Sequence, residues 1–421
     1  MINKFKKYQN SKLVHNGIWL YILQIFNTIV PLISIPYITR VLGASQFGVF
    51  SFSLNIIGYL KVIVDYGFDL SGSRQVAVAK DEKEISRIFN SITKTKLLLF
   101  MIAIICLFGI SFSNGINEKH FYIMLILITM VLGSTIQQTW LFQGLQVMKY
   151  ITIPSVISRL ISLILIFALI NESNQVYLYT FLFSITFLLN GLFSLFVVRF
   201  RLKIKWGKTK RSEIIKELQE GWHIFTTSFM TKIFTGVGIT VLGFTTSDKI
   251  IGVYSAIQKI PLMLLMIYAP VGQVIYPYIS KCYKESFKNG LYKVLRIMKI
   301  LMPFVILTSI IIIVFSHQII YLLFGKEYAL YSNLVIPLVI WATISILNNF
   351  LGIQVLVASG YQKEYSQAFR IGVIATLCFN FIFGYYIGVN GIALAALLSE
   401  LVLTIGITIN IRKIIKYKVN F

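Results

Sequence analysis

Four basic residues stand inside long apolar runs of this 421-residue chain: Lys61, Arg159, Lys232 and Lys259. An ion surrounded by hydrocarbon costs at least a few kcal/mol, so each needs a reason to be there. Lys232 falls near the middle of its run, too deep for its ammonium to reach water easily, and a place on a polar cavity is expected for it. Arg159 lies closer to the end of its run, where snorkelling to the interface is an equal alternative. Among the acids, Glu400 is mid-run with no basic neighbour on its own helix. It is expected to hold a proton, to pair across helices, or to make a structural hydrogen bond. Asp65 follows Lys61 by four residues, the spacing of a helical ion pair, and Asp69 can reach the interface. A carboxyl that trades a proton or sodium ion is what ion coupling requires, which makes Glu400 the first candidate and Asp65 the second. His15, His120, His223 and His317 are scattered, and Cys106, Cys282 and Cys378 have no ligand spacing. No G-x-x-x-x-G-K-[ST] run occurs, so no metal, no nucleotide and no cofactor beyond H+ or Na+ is expected.

The elements that carry these groups follow from composition. The chain is 57% apolar and 13% charged, about half of the ~25% charge usual in soluble proteins, with a mean hydropathy of +0.79. Lipid must cover most of its surface. In lipid only helices or closed barrels satisfy the backbone, and the runs are too long for barrel strands. Twelve transmembrane helices are expected, at about 14–39, 46–66, 96–114, 120–143, 150–170, 176–199, 221–244, 251–279, 297–316, 331–358, 366–387 and 391–411. Pro261, Pro270 and Pro277 fall in one span and each can bend it. The first run is too long for a signal segment, so the N-terminus is expected to be retained. Alternate loops hold 31 Lys and Arg residues, Lys94 and Lys96 among them, against Arg40, Lys119, Lys249 and Lys326 on the other set. That asymmetry accounts for the net charge of +24 without nucleic acid, and it places both termini in the cytoplasm.

The basic stretch 200–220 divides the chain into residues 1–199 and 221–421, six spans each. Ser45-Gln46-Phe47-Gly48-Val49-Phe50-Ser51 opens the second span, and Ser247 to Ser255, with Gly252-Val253-Tyr254-Ser255, opens the eighth. Gly144-Leu145-Gln146 and Gly360-Tyr361-Gln362 likewise hold matching places in the two halves. Two matches in register indicate duplication. Halves of six helices share orientation and would be related by a pseudo-twofold along the membrane normal.

Val41-Leu42-Gly43 through Phe47-Gly48-Val49-Phe50-Ser51, then Asp65-Tyr66-Gly67-Phe68-Asp69, resembles the polysaccharide-export flippases, as does Trp140-Leu141-Phe142-Gln143-Gly144-Leu145-Gln146 with Tyr150. That family shares a superfamily with multidrug-and-toxin extruders and the peptidoglycan-precursor flippase. The resemblance implies an all-α integral membrane fold of two six-helix lobes around a central cavity. It implies no enzyme, but transfer of a polyprenyl-diphosphate-linked oligosaccharide to the outer leaflet of a bacterial cytoplasmic membrane. The product, such as O-antigen or capsule, would be built with glycosyltransferases and a polysaccharide polymerase as partners. In such a bundle the spans of Lys61, Lys232 and Lys259 border the cavity and would make a cationic ladder for the diphosphate, with Arg159 a further candidate. A drug or cation exporter of the same superfamily is the alternative, though it should carry acidic rather than basic cavity residues. A membrane polymerase or ligase is a second alternative, disfavoured by outer loops of no more than roughly fifteen residues.

Overall fold

The computed structural model of the protein describes residues 2–111 and 116–419, with side chains for 15–110 and 116–416. The side chains of Lys4, Lys6, Lys7, Lys12 and Lys418 lie outside the described residues, as does the expected end of the third span at 114. The described residues form helices α1 (Ile2–Asp65), α2 (Phe68–Val78), α3 (Glu82–Ser111), α4 (Glu118–Ile136), α5 (Thr139–Gly144), α6 (Lys149–Leu169), α7 (Val176–Phe200) and α8 (Arg211–Thr245). There follow α9 (Asp248–Ile257), α10 (Lys259–Glu285), α11 (Phe287–Val314), α12 (Ser316–Phe324), α13 (Lys326–Ala329), α14 (Val335–Asn348), a π-helical turn set at Asn349–Val357, α15 (Gln362–Ile387) and α16 (Val389–Val419).

Eleven helical stretches among the described residues are long and apolar enough to cross a membrane. The first, His15–Val78, holds two of the twelve expected spans, so the span count and the all-helical class agree with the sequence. Helix α1 has 64 residues, about 96 Å at 1.5 Å per residue and roughly three times the hydrocarbon thickness. It turns at Gly43, whose φ of 72° and ψ of 170° are open to a residue without a Cβ. Side chains such as Ile105, Ile164, Phe196, Val314 and Ile374 are exposed, a surface suited to acyl chains rather than water.

Other spans are interrupted. The fourth is α4 and α5, broken at Gln137-Gln138. The eighth is α9 and α10, broken at Gln258, which puts Pro261 in the first turn of α10. There its missing N–H leaves no hydrogen bond unmade, and only Pro270 and Pro277 stand within the helix. Helix α3 begins at Glu82, well before the apolar run, with Asp81 accepting from Glu84 N at 2.7 Å and Glu84 accepting from Lys80 N at 2.9 Å. Lys94 and Lys96 therefore ride on a helix, not in a loop.

The chain forms two compact units, Met1–Lys232 and Ile233–Phe421, whose boundary falls inside α8. In the first, α4 and α7 meet backbone to backbone: a Cβ on Gly133 would collide with the Phe187 carbonyl carbon. Small residues at such crossings replace the hydrophobic drive that lipid removes. The connection after α7 is tied down by Asn90, which donates to Lys205 O (3.0 Å) and accepts from Gly207 N (2.7 Å). In the second unit α15 and α16 form a hairpin through Gly388 (φ 66°). Trp341, Ile346, Phe350, Leu403 and Ile407 fill the core beside it.

Candidate functional site

Asn55, Gly58, Lys61 and Asp65 recur at three- and four-residue spacing and so share one face of α1. The helix stops directly after this stripe because Tyr66 (φ 45°) and Gly67 (φ 78°) turn left-handed. A side chain on Gly67 would also strike Ile224 at 2.5 Å. Ion-bearing groups gather along the stripe. Lys61 Nζ bonds Asp65 Oδ2, as the spacing predicted. Lys96 Nζ, from α3, lies 3.3 Å from Asp65 Oδ1 and donates to Ser134 O at 2.6 Å. Lys96 is 3% exposed, whereas the Lys61 and Asp65 side chains are 33% and 23% exposed. Lys232 Nζ donates to Asn55 Oδ1 at 2.7 Å, sits 4.9 Å over the Tyr59 ring, and passes 2.9 Å from where a Gly58 Cβ would be. Three ammonium groups thus serve about ten residues of one helix face, roughly 15 Å of rise, with the Asp65 carboxylate among them and that of Asp69 within electrostatic reach of Lys61, Lys96 and Asp65. Asp69 is exposed in the first turn of α2.

The other candidates stand elsewhere. Arg159 is half-buried in α6 and makes no hydrogen bond or ion pair among the described residues. Lys259 opens α10 in the second unit, half-buried and likewise without such a partner among the described residues. Glu400 is 2% exposed. It receives hydrogen bonds from Trp341 Nε1 (3.1 Å) and Asn348 Nδ2 (2.8 Å), and no ion pair among the described residues balances it.

Two buried ionic groups escaped the sequence reading. Lys96 was counted with the loop cations, although the small polar residues Thr93 and Thr95 beside it are a sign of helix–helix packing. Glu217, in α8, is 5% exposed and accepts from Gln75 Nε2 and Ser91 Oγ, both at 2.7 Å. Gly221, one turn on and closed against Tyr66, marks the same packed face. Of the amides in the spans, Gln138 accepts from Thr93 at 3.3 Å, Asn190 accepts from Ser158 at 3.3 Å and Gln354 donates to Gly272 O at 3.0 Å. These join helix to helix. Among the described residues no group of His, Cys, Asp and Glu gathers as metal ligands. What the α1 stripe can do is hold a multiply charged anion, since its cations outnumber its carboxylates.

The motif residues behind the family likeness are mostly packing devices. Leu42, Phe47, Val49 and Phe50 are core residues beside the Gly43 turn, and Phe50 meets the Tyr179 ring at 4.7 Å. Trp140 fills the space over Gly72, and Gly144 lies against Val76, which docks α5 on α2.

A family model described as "Polysaccharide biosynthesis protein" matches residues 13–283. A protein of Escherichia coli (strain K12) named "Putative O-antigen transporter" is 28% identical over 397 residues, 92% of this chain and 94% of its own. One of the same name from Shigella dysenteriae is 29% identical over 402 residues, 93% and 98% of the two chains. Among solved structures, the lipid II flippase MurJ in an inward closed conformation has a TM-score of 0.76 at 16% identity, covering 95% of this chain and 87% of that one. An inward-facing multidrug resistance MATE family transporter of the MOP superfamily has a TM-score of 0.74 at 12% identity, covering 92% and 94%. At these identities the structural likeness is one of fold.

Proposed function

The chain belongs to the polysaccharide biosynthesis protein family, and from that membership we propose that it moves a polyprenyl-diphosphate-linked oligosaccharide from the cytoplasmic to the outer leaflet of a bacterial cytoplasmic membrane. The observation that carries this reading is the cationic stripe on α1, where Lys61, Lys96 and Lys232 outnumber the nearby carboxylates Asp65 and Asp69. A diphosphate carries about two negative charges, and charge-assisted bonds to ammonium groups are the strong kind. Lys259 is the second unit's candidate for the same ligand, and Arg159 the candidate from α6. The polyprenyl tail stays in lipid while the head group crosses. Alternating access by rocking of two six-helix lobes, residues 1–199 and 221–421 joined by 200–220, is the proposed motion. Glu400, and after it Asp65, are the proposed coupling acids for H+ or Na+. Glycosyltransferases would supply the substrate, and a polymerase would consume it outside; the chain itself performs no covalent step. The relatives named as O-antigen transporters and the lipid II flippase of like fold support this reading.

The MATE transporter of similar fold favours the second reading, a small-molecule exporter. Reconstitution separates the two. In proteoliposomes loaded with a lipid-linked oligosaccharide, an impermeant glycosidase alone reaches only the outer-leaflet share. With the protein present, the enzyme is expected to digest nearly all of it. Continued protection of the inner share, together with uptake of an organic cation, would replace the flippase by the exporter.

Orientation has its own test. Single cysteines at Glu118 and Asn174, both exposed, are expected to react with an impermeant thiol reagent added outside cells. One at Lys208, also exposed, is expected to react only after lysis. Glu118 serves better than Asn117, whose side chain accepts from His120 N at 3.0 Å and caps α4. The reverse labelling pattern would invert the orientation and, with it, the direction of transport.

A further inference from the structure

Asp65 is placed where an anion with two cationic partners belongs, and its partners differ in freedom. Lys96 is fixed: it is 3% exposed, bonded to Ser134 O at 2.6 Å and to Asp65 at 3.3 Å, within the buried stretch of α3 that includes Ser91, Thr93 and Thr95. Lys61 is a third exposed and has a long, flexible stem. We propose that Asp65 is a built-in counter-anion occupying the seat of the substrate's diphosphate, and that Lys96 is the positioning residue that lets it yield Lys61. This rests on the flippase reading above.

The argument is one of charge balance. Removing one partner of a buried ion pair is strongly destabilising because the other charge is left uncompensated. A carboxylate held by Lys61 alone could not release it to a ligand without that penalty. Held also by Lys96, Asp65 keeps a counter-ion when Lys61 turns to phosphate. The exchange replaces one anion by another at Lys61 and leaves no buried charge alone, and Asp69, within electrostatic reach of both Lys61 and Lys96, is unchanged by it. When the diphosphate departs, Asp65 takes Lys61 back, and the empty site resets without a bound anion from solution. Asp65 also weakens the site by competing for Lys61, which favours release.

The test measures binding of a sugar-free, short-chain polyprenyl diphosphate to the full-length protein in lipid nanodiscs, by tryptophan fluorescence. Asp65→Asn keeps an oxygen for Lys96, which also retains Ser134 O at 2.6 Å and the nearby charge of Asp69, and it is expected to tighten binding about tenfold, the loss of one modest competing interaction. Lys96→Met is expected to weaken binding by about the same factor, although Lys61 is untouched. The double variant Lys96→Met/Asp65→Asn is expected to bind at least as well as the unaltered protein, since no carboxylate remains to hold Lys61. A merely structural Lys96 would lower thermal stability in both Lys96 variants and give no such rescue. Unchanged or weaker binding by folded Asp65→Asn overturns the proposal, and that variant decides the matter even where Lys96→Met fails to fold. If the unaltered protein does not bind the probe at all, the flippase reading falls and this inference with it. Binding that is indifferent to Asp65 removes the inference alone.

Discussion

Lys232→Gln is expected to reduce transport of the lipid-linked oligosaccharide about a hundredfold, on the strength of one charge-assisted bond to phosphate worth about 3 kcal/mol. The glutamine keeps much of the length of the side chain and a donor for Asn55 Oδ1, which now receives Lys232 Nζ at 2.7 Å. It also keeps an amide against the Tyr59 ring, although the cation–π attraction at 4.9 Å is lost. The half-buried setting of that ring makes this a small term, about 1 kcal/mol, so the folded protein should survive. What glutamine removes is the charge. Lys232→Arg is expected to restore part of the activity, incompletely, because the ammonium packs into the space a Cβ on Gly58 would fill, and a larger planar guanidinium fits there less well. Rates in proteoliposomes, normalised to reconstituted protein, make the measurement. Glutamine variants that flip at the normal rate would remove Lys232 from substrate handling and leave it a helix-joining residue.

The same stripe shows what the sequence could and could not say. Lys61 and Asp65 were legible because four-residue spacing on a helix dictates contact whatever surrounds it. Lys232 stood out because its depth in an apolar run admits no easy exit to water, and its expected place on a cavity is what the transport measurement above tests. Lys96 was not, because the positive-inside pattern groups it with Lys94 and Arg87, and helix α3 extends some four turns before its apolar half. A polar amphipathic entry to a helix reads like a loop when hydropathy is the guide. Glu217 was hidden in the same way within the basic stretch 200–220, whose second half is the start of α8. Span interruptions are a different matter. Gly43 could be suspected from its type, but nothing in the composition of Asn349–Val357 specifies a π-helical path. There tertiary packing around Gly352, against which the Tyr365 ring closes, decides. Whether Lys259 and Arg159 serve the same ligand as the stripe depends on distances between elements that lie far apart in sequence, which no spacing encodes.

Glu400→Gln is expected to abolish the response of transport to an imposed ion gradient while leaving substrate binding intact. Transporting a diphosphate and a hydrophilic sugar through hydrocarbon needs a device, and no nucleotide-binding motif supplies the energy. A single charge moved through 100 mV is worth about 2.3 kcal/mol, roughly fiftyfold in rate or distribution. Glu400 suits that exchange because its carboxyl is 2% exposed and among the described residues meets only neutral donors, Trp341 Nε1 at 3.1 Å, Asn348 Nδ2 at 2.8 Å and the Ser345 hydroxyl. No basic side chain among the described residues compensates it, and on the proposed reading a mobile H+ or Na+ does. Asn348 is fitted to both states. Its Nδ2 serves the carboxylate, while its buried Oδ1 has no hydrogen-bond partner among the described residues. A half-turn of the amide would offer that oxygen to a protonated Glu400, or to a sodium ion held beside it. Glutamine fixes the neutral state: its amide donates to Asn348 Oδ1 at all times and has no proton or sodium to give up. Proteoliposomes bearing a pH or sodium gradient are expected to flip the oligosaccharide faster than those without, by up to the fiftyfold set by one charge. The variant is expected to run at the gradient-free rate under every condition. Equal rates with and without gradients, unaltered by Glu400→Gln, would assign the drive to consumption of the substrate outside, and Glu400 to the packing of α14 against α16.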